Sequence, residues 1–350
     1  MSDAATRTET DSEKWAEPSG LARWRGVGDV VGMLVVLAAL VVLFGTRSNH
    51  FWSAQTVKTI VNQFADLTVL AVGMTLVLVI GGIDLSVGSV MALCGAVLGI
   101  AIVDWEVSFP IALAACLAAG AACGLVNGFI SVHWSIPSFI VTLGMLESAR
   151  GATYLLTRSE TKYVGPRIEW LARPLPGLGA STSFLIALAL VAAGHVLLTR
   201  TVLGRYMVAI GTNEEAVRLS GVDPKPTKLL TFVLSGLCAA IAAVFQVARV
   251  SSADPNGGVG MELGAIAAVV IGGTSLMGGR GSVLRSFLGV LIIAVLQTGL
   301  DHVGASEPSK RLISGAVIVL AVVADVHRRS WGASVGRAAA RLRPKARPLG

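Results

Sequence analysis

Long stretches almost free of charge follow one another along most of this chain, and that pattern leaves few folds open. Crossing the roughly 30 Å hydrocarbon core of a bilayer takes about 20 apolar helical residues. Uncharged runs between breakers give ten such spans: 29–46, 57–80, 86–104, 109–132, 137–157, 183–200, 228–249, 263–277, 284–300 and 309–326. Asp104 and Pro110 mark the break between the third and fourth. Pro137 and Pro308 stand where helices open, a position that suits a residue with no amide hydrogen. Only 14% of the 350 residues are charged, against roughly 25% in a soluble domain. Glycine is abundant all the same, at 40 residues. Small residues let helix backbones approach closely where lipid gives no reward for apolar contact. The expectation is an all-α integral membrane protein of about ten transmembrane helices over 29–326. It is flanked by a disordered tail (1–28) without an apolar leader and a basic tail (327–350).

The net charge is +7, and its placement matters more than its size. Arg328, Arg329, Arg337, Arg341, Arg343, Lys345 and Arg347 directly follow the last apolar run. A basic tail there is an orientation signal and a contact for anionic membrane lipid. No aromatic residues interleave with these charges as base stacking would require, so nucleic acid is not the expected partner. Ten spans put both termini on one side. With that side inward, the inner segments hold about twice as many Lys and Arg as the outer ones, which favours both termini in the cytoplasm. The outer loop 158–182, with Arg158, Lys162, Arg167 and Arg173, is the main exception.

The residues offer little to covalent chemistry. Cys94, Cys116, Cys123 and Cys238 all fall in apolar runs and read as small core residues. The five histidines (His50, His133, His195, His302, His327) show no ligand spacing. There is no G-x-x-x-x-G-K-[ST] loop for nucleotide phosphates. No catalytic set, metal or cofactor is expected.

The most specific local signal lies in the long inner loop between Arg200 and Lys228. Thr212 and Glu215 match a capping box, which starts a helix after Thr212. Glu214 and Arg218 stand at i, i+4 in the favourable order. Gly221 can close the helix in the left-handed conformation, and Pro224 and Pro226 stop it from continuing. The reading is a short, rigid helix with Ala216, Val217 and Leu219 as apolar members. On local grounds it either rests on the lipid surface or plugs into a soluble partner.

GRYMVAIGTNEEAVRLSGVDPKPTKLLTFVLSG from Gly204, DPNGGVGMELGAIAAVVIGGTSLMGGRGSV ending at Val283, GGIDLSVGSVMAL at Gly81–Leu93 and NGFISVHWSIPSFIVTLGML at Asn127–Leu146 resemble one family. It comprises the permease subunits of bacterial ABC importers of the ribose, xylose and arabinose type. The resemblance runs from about residue 55 to 326. It implies a permease paired with a second copy or paralogue in the bacterial inner membrane, around a path for a monosaccharide. It also implies a periplasmic or lipid-anchored sugar-binding protein and a separate cytoplasmic ATPase subunit. The helix within the coupling loop 204–228 becomes a coupling helix, with Thr212, Glu214, Glu215, Arg218, Leu219 and Gly221 as its contact and capping residues. A cation- or proton-coupled secondary transporter is the alternative, with Asp66, Asp84 and Glu147 as its only candidate ion sites.

Gly81–Ser89 breaks one apolar run and opens the next, and Asp84 can cap the following helix. Irregular backbone at membrane depth is tolerated only where it faces protein or water. Asp84, Ser86, Asn127 and Thr142 are the candidate path residues, although capping is the commoner use of a residue such as Asp84 and interhelical hydrogen bonding that of Asn127 and Thr142. Val79-Ile80-Gly81-Gly82 is echoed by Val270-Ile271-Gly272-Gly273, and Gly88-Ser89-Val90 by Gly281-Ser282-Val283, a hint of duplicated halves. Glu147 and Arg150 share a helix face and are expected to pair, since unpaired charge in lipid is costly. Arg150-Gly151 fits the family pattern, whereas glutamate at 147 is less usual there. Asn62, Gln63 and Asp66 are expected to bond between helices. The outer segment 250–262, with Asp254-Pro255-Asn256-Gly257-Gly258, reads as a surface turn.

Overall fold

The computed structural model describes residues 19–317 apart from Asn49, together with Val319, Leu320 and Val323. The helices are α1 (Ser19–Arg47), α2 (Ala54–Gln63), α3 (Ala65–Val79), α4 (Val87–Val103), α5 (Phe109–His133), α6 (Ser138–Thr157), α7 (Thr182–Arg200), α8 (Val202–Thr212), α9 (Glu214–Leu219), α10 (Lys225–Val250), α11 (Met261–Ile271) and α12 (Val283–His302). The only paired strands among the described residues are β1 (Lys162–Tyr163) and β2 (Ser252–Ala253), which are antiparallel. They join the loops that follow α6 and α10.

Five helices are long and apolar enough to cross a membrane: α1 over Val30–Arg47, α5, α7, α10 and α12. Together α2 and α3, bent by 44°, make a sixth, while α4 and α11 are apolar but shorter. α6 has the length of a span at 20 residues and carries Glu147 and Arg150. Residues 307–317 are helical. The ten sequence spans are compatible with this set, although several boundaries move. The eighth, expected over 263–277, is helical only from Met261 to Ile271, and irregular backbone follows. α1 opens at Ser19, inside the stretch expected as a tail. Residues 1–18, the end of the tenth span and the basic tail lie outside the described residues.

Hydropathy runs in the sense a bilayer demands. Every residue of α3 is buried, as are 14 of the residues of α4, among them Met91, Cys94 and Leu98. By contrast α1 and α5 turn large apolar side chains outward, including Val35, Ile111 and Phe129. Apolar surface of this kind belongs against lipid. Within the bundle α5 packs on α10 through glycine. A Cβ on Gly120 would stand 2.4 Å from the Gly236 oxygen, and one on Gly236 would stand 2.1 Å from the Gly120 oxygen. No larger residue fits either backbone, and this close approach is the usual way to stabilise helix pairs in lipid. Cys94, Cys116 and Cys238 are buried free thiols and Cys123 is half-buried, as core residues.

Asn62 and Asp66 tie their helices to neighbouring elements, as their sequence context suggests, whereas Gln63 is exposed. Asn62 accepts from the Ser181 amide at 2.6 Å and donates to the Gly179 carbonyl at 3.0 Å. Asp66 is 3% exposed and pairs with Arg249 at 2.7 Å, linking α3 to α10. Arg249→Met leaves that carboxylate buried and unpaired. The expected loss is about 3 kcal/mol, near the lower end of the range for breaking a buried pair because Arg249 is partly solvated. A thermal melt in detergent checks it, and Asp66→Asn with Arg249→Met should recover part of the loss.

Candidate functional site

α8, α9 and the start of α10 form one compact element at one end of the bundle. Thr201 opens α8, its hydroxyl accepting from the Gly204 amide at 3.1 Å. The capping box expected at Thr212 does not form. Thr212 is the last residue of α8, and its hydroxyl donates to the Val208 carbonyl at 2.8 Å. The cap of α9 is Asn213, whose extended backbone (φ −161°, ψ 97°) turns the chain and whose Oδ1 accepts from the Ala216 amide at 3.0 Å. Asn213 is at least as good a capping residue as threonine, and its side-chain oxygen takes the amide three residues on. The expected Glu214–Arg218 pair is replaced as well. Arg218 pairs with Glu215, and Glu214 reaches across to Lys228 on α10 at 2.9 Å. Gly221 closes the helix as expected, at φ +86°. Pro224 and Pro226 open α10 in addition to stopping α9, with the Asp223 carboxylate accepting from the Lys225 amide at 3.0 Å.

One face of α9 is anchored and the other is free. Val217 is 8% exposed, whereas Leu219 is 80% exposed and flanked by Glu215 and Arg218. Beside the helix lies a cavity of about 540 Å³, lined by Gly81, Ser135, Ser138, Glu214, Arg218 and Lys228 among others. It separates α9 from the α5–α6 turn.

α8 docks on the ends of two other elements through Gly211. A Cβ there would stand 1.9 Å from the Val79 oxygen and 2.5 Å from the Gly279 nitrogen. The Gly279 amide itself donates to the Val79 carbonyl at 2.9 Å. The last turn of α3, the turn before α12 and the entrance to α9 therefore meet backbone to backbone.

The echo noted in the sequence has a structural counterpart at this junction. α3 ends with Gly81 donating to Leu78 and Gly82 to Val77, at 3.0 and 2.9 Å. α11 ends with Gly273 donating to Val270 and Thr274 to Val269, at 2.8 and 3.1 Å. The structural register is one residue off the sequence echo, since Gly81 matches Gly273 in both hydrogen bonding and positive φ. After each stop a serine, Ser86 or Ser282, precedes the next helix.

Between α3 and α4 the chain is irregular at membrane depth, and side chains from three helices satisfy it. Asp84 Oδ1 accepts from the Ser86 amide at 3.0 Å and the Ser86 hydroxyl at 2.6 Å, while Oδ2 accepts from Ser235 of α10 at 2.9 Å. Asn127 of α5 donates to the Ser86 hydroxyl at 3.0 Å. The Thr142 hydroxyl of α6 accepts from the Leu85 amide and donates to the Ile83 carbonyl, both at 3.1 Å. Ser138 accepts from the Ile83 amide at 2.9 Å. Asp84 thus serves the residue before α4 and not the first turn of that helix. The structure brings Asp84, Ser86, Asn127 and Thr142 together and buries all four. Ser138 and Ser235 complete the set, and nothing local in the sequence marks them.

Glu147 and Arg150 do not pair. Arg150 donates to the carbonyls of Pro255 and Gly257 at 3.2 and 3.0 Å. Among the described residues Glu147 has no partner, and it lies on the exposed face of α6. Backbone carbonyls from a distant loop satisfy Arg150 better than a neighbour on the same helix turn.

A bundle of apolar helices, interrupted between α3 and α4 and carrying a short exposed helix at one end, is the architecture of a polytopic membrane protein. A family described as the permease component of branched-chain amino acid transport systems matches residues 56–322. The chain belongs to that permease family, which is not a family of enzymes, and it is a multi-pass inner-membrane protein. It is 41% identical over 297 residues to the ribose import permease of Escherichia coli strain K12, covering 83% of this chain and 92% of that one. The galactofuranose transporter permease of the same strain is 35% identical over 326 residues, covering 89% and 93%. The fructose import permease of Rhizobium meliloti is 34% identical over 304 residues, covering 83% and 84%. No solved structure matches.

Proposed function

We propose that the chain is the permease subunit of an ATP-binding-cassette importer for a monosaccharide. A binding protein delivers the sugar from outside, and a separate ATPase subunit supplies the energy. The observation that carries this reading is α9: capped at both ends, held by Val217 and Glu214–Lys228, and presenting an exposed Leu219 between charges. An apolar residue rimmed by charge on a rigid helix suits a socket in a soluble partner. Thr212, Glu214, Glu215, Arg218, Leu219 and Gly221 are assigned to this coupling element. The excess of Lys and Arg in the inner segments supports a cytoplasmic position for it and for both termini. The buried set Asp84, Ser86, Asn127 and Thr142 shapes the path by fixing the break before α4. A second permease copy or paralogue closes the path from the other side.

In proteoliposomes, sugar uptake should require the ATPase subunit, ATP and the loaded binding protein together. Uptake by this purified chain alone, driven by an ion gradient, would establish a secondary transporter instead.

A further inference from the structure

The segment after β2 does not stay at the surface. A Cβ on Gly99, near the outer end of α4, would stand 2.6 Å from the Ala253 Cβ, so β2 lies at that end. A Cβ on Gly88 would stand 2.4 Å from the Gly258 oxygen and 2.2 Å from Glu262 Oε2. Gly88 and Gly99 are about 16 Å apart along α4, half the thickness of a hydrocarbon core. Between Ala253 and Gly258 the chain therefore descends from the outer end of the bundle to mid-depth, and α11 begins there. What the sequence presents as a surface turn is a non-helical crossover that runs about 16 Å along α4.

α6 holds the crossover in place. Arg150 binds the Pro255 and Gly257 carbonyls, and the Tyr154 hydroxyl donates to Asn256 Oδ1 at 2.8 Å. Asp254, Asn256, Val259 and Gly260 remain exposed on its open side. Glu147 is exposed about 15 Å below the outer end of α6, on the helix that clamps the crossover. Lipid tolerates neither open backbone nor an unpaired carboxylate at such depth. The open side must face water or a second permease copy, not lipid.

We propose that the crossover 254–260, together with Glu147, lines the sugar path at mid-membrane, and that Glu147 accepts hydrogen bonds from the hydroxyls of a neutral polyol. This deepens the import reading above and rests on it for the identity of the solute. The chemistry fits such a cargo: Arg150 is occupied by carbonyls, so the open side offers mainly acceptors, and a polyol offers donors.

Single cysteines at Glu147 and Val259 test the geometry without any sugar. The background carries Cys123→Ala, and Val35→Cys on the apolar face of α1 is the control. In the assembled complex the two path positions should react with a charged, membrane-impermeant methanethiosulfonate at least ten-fold faster than Val35→Cys. Rates equal to the control would overturn the path assignment. So would efficient disulfide cross-linking of Glu147→Cys between two copies with no labelling, because the face would then be a dry interface. Transport tests the chemistry. Glu147→Leu should lower ribose uptake at least ten-fold while loaded binding protein still stimulates ATP hydrolysis, and Glu147→Gln should stay within about three-fold of the wild type. If Gln were as damaging as Leu, the charge itself would be needed and the neutral-polyol role would fail. Labelling of both positions in a wild-type complex that imports no sugar would leave the path standing and refute the import reading instead.

Discussion

Gly211→Val is expected to abolish transport. The first carbon of any side chain at 211 would lie 1.9 Å from the Val79 oxygen, and the nearest obstacles are backbone, which cannot turn aside. α8 would have to lift from α3, breaking its contact with the Gly279 turn as well. Overpacking of this kind costs about 1–3 kcal/mol, and here the strain falls on the joint between α9 and the broken end of α3. The expected result is a complex that still folds, with a lower melting temperature, and still binds the ATPase subunit, because the outer face of α9 is untouched. Uptake in vesicles should fall by two orders of magnitude or more while ATP hydrolysis continues. Gly211→Ala should show the same split in milder form. Wild-type uptake in Gly211→Val would mean that motion does not pass through this junction.

The second large effect is expected at Leu219. With 80% of the residue exposed, nothing in this chain depends on it, so Leu219→Glu should change stability by no more than about 0.5 kcal/mol. If Leu219 fills a socket in the ATPase, placing a carboxylate there should cost about 2–4 kcal/mol, the range of an interface hot spot, or roughly 30- to 1000-fold in affinity. Co-purification of the ATPase subunit should be lost while the melting curve is unchanged. Glu214→Arg acts by another route, since it sets a cation against Lys228 and loosens the seat of α9. It should lower both stability and coupling. Normal assembly with Leu219→Glu would return α9 to the alternative of a helix lying on lipid.

These two sites differ in how far the sequence reveals them. The exposed helix is legible because its stop at Gly221 and its apolar members are local. Its start is legible only to within a residue, because Thr212 and Asn213 are both good caps. Which one serves depends on where α8 ends, and Gly211 against Val79 decides that. The Gly211 junction is invisible in the sequence, since any glycine in this glycine-rich chain could have been the one in contact. The expected Glu147–Arg150 pair shows the same limit. Spacing on one helix makes the pair possible, but it cannot reveal that carbonyls more than 100 residues away compete for the arginine.

The sequence by itself determined that this is a bundle of membrane helices with a short inner helix, and which permease family it belongs to. Composition, run length and motif are properties of contiguous residues, and lipid leaves apolar runs of this length little choice but to be helical. Only the tertiary structure decided the depth of each polar segment. Gly81–Ser89 and 254–260 both read as turns between apolar runs. One proves to be a buried knot satisfied by α5, α6 and α10, the other a crossover with one side open. The difference lies in what packs against each segment, and those partners are remote in sequence.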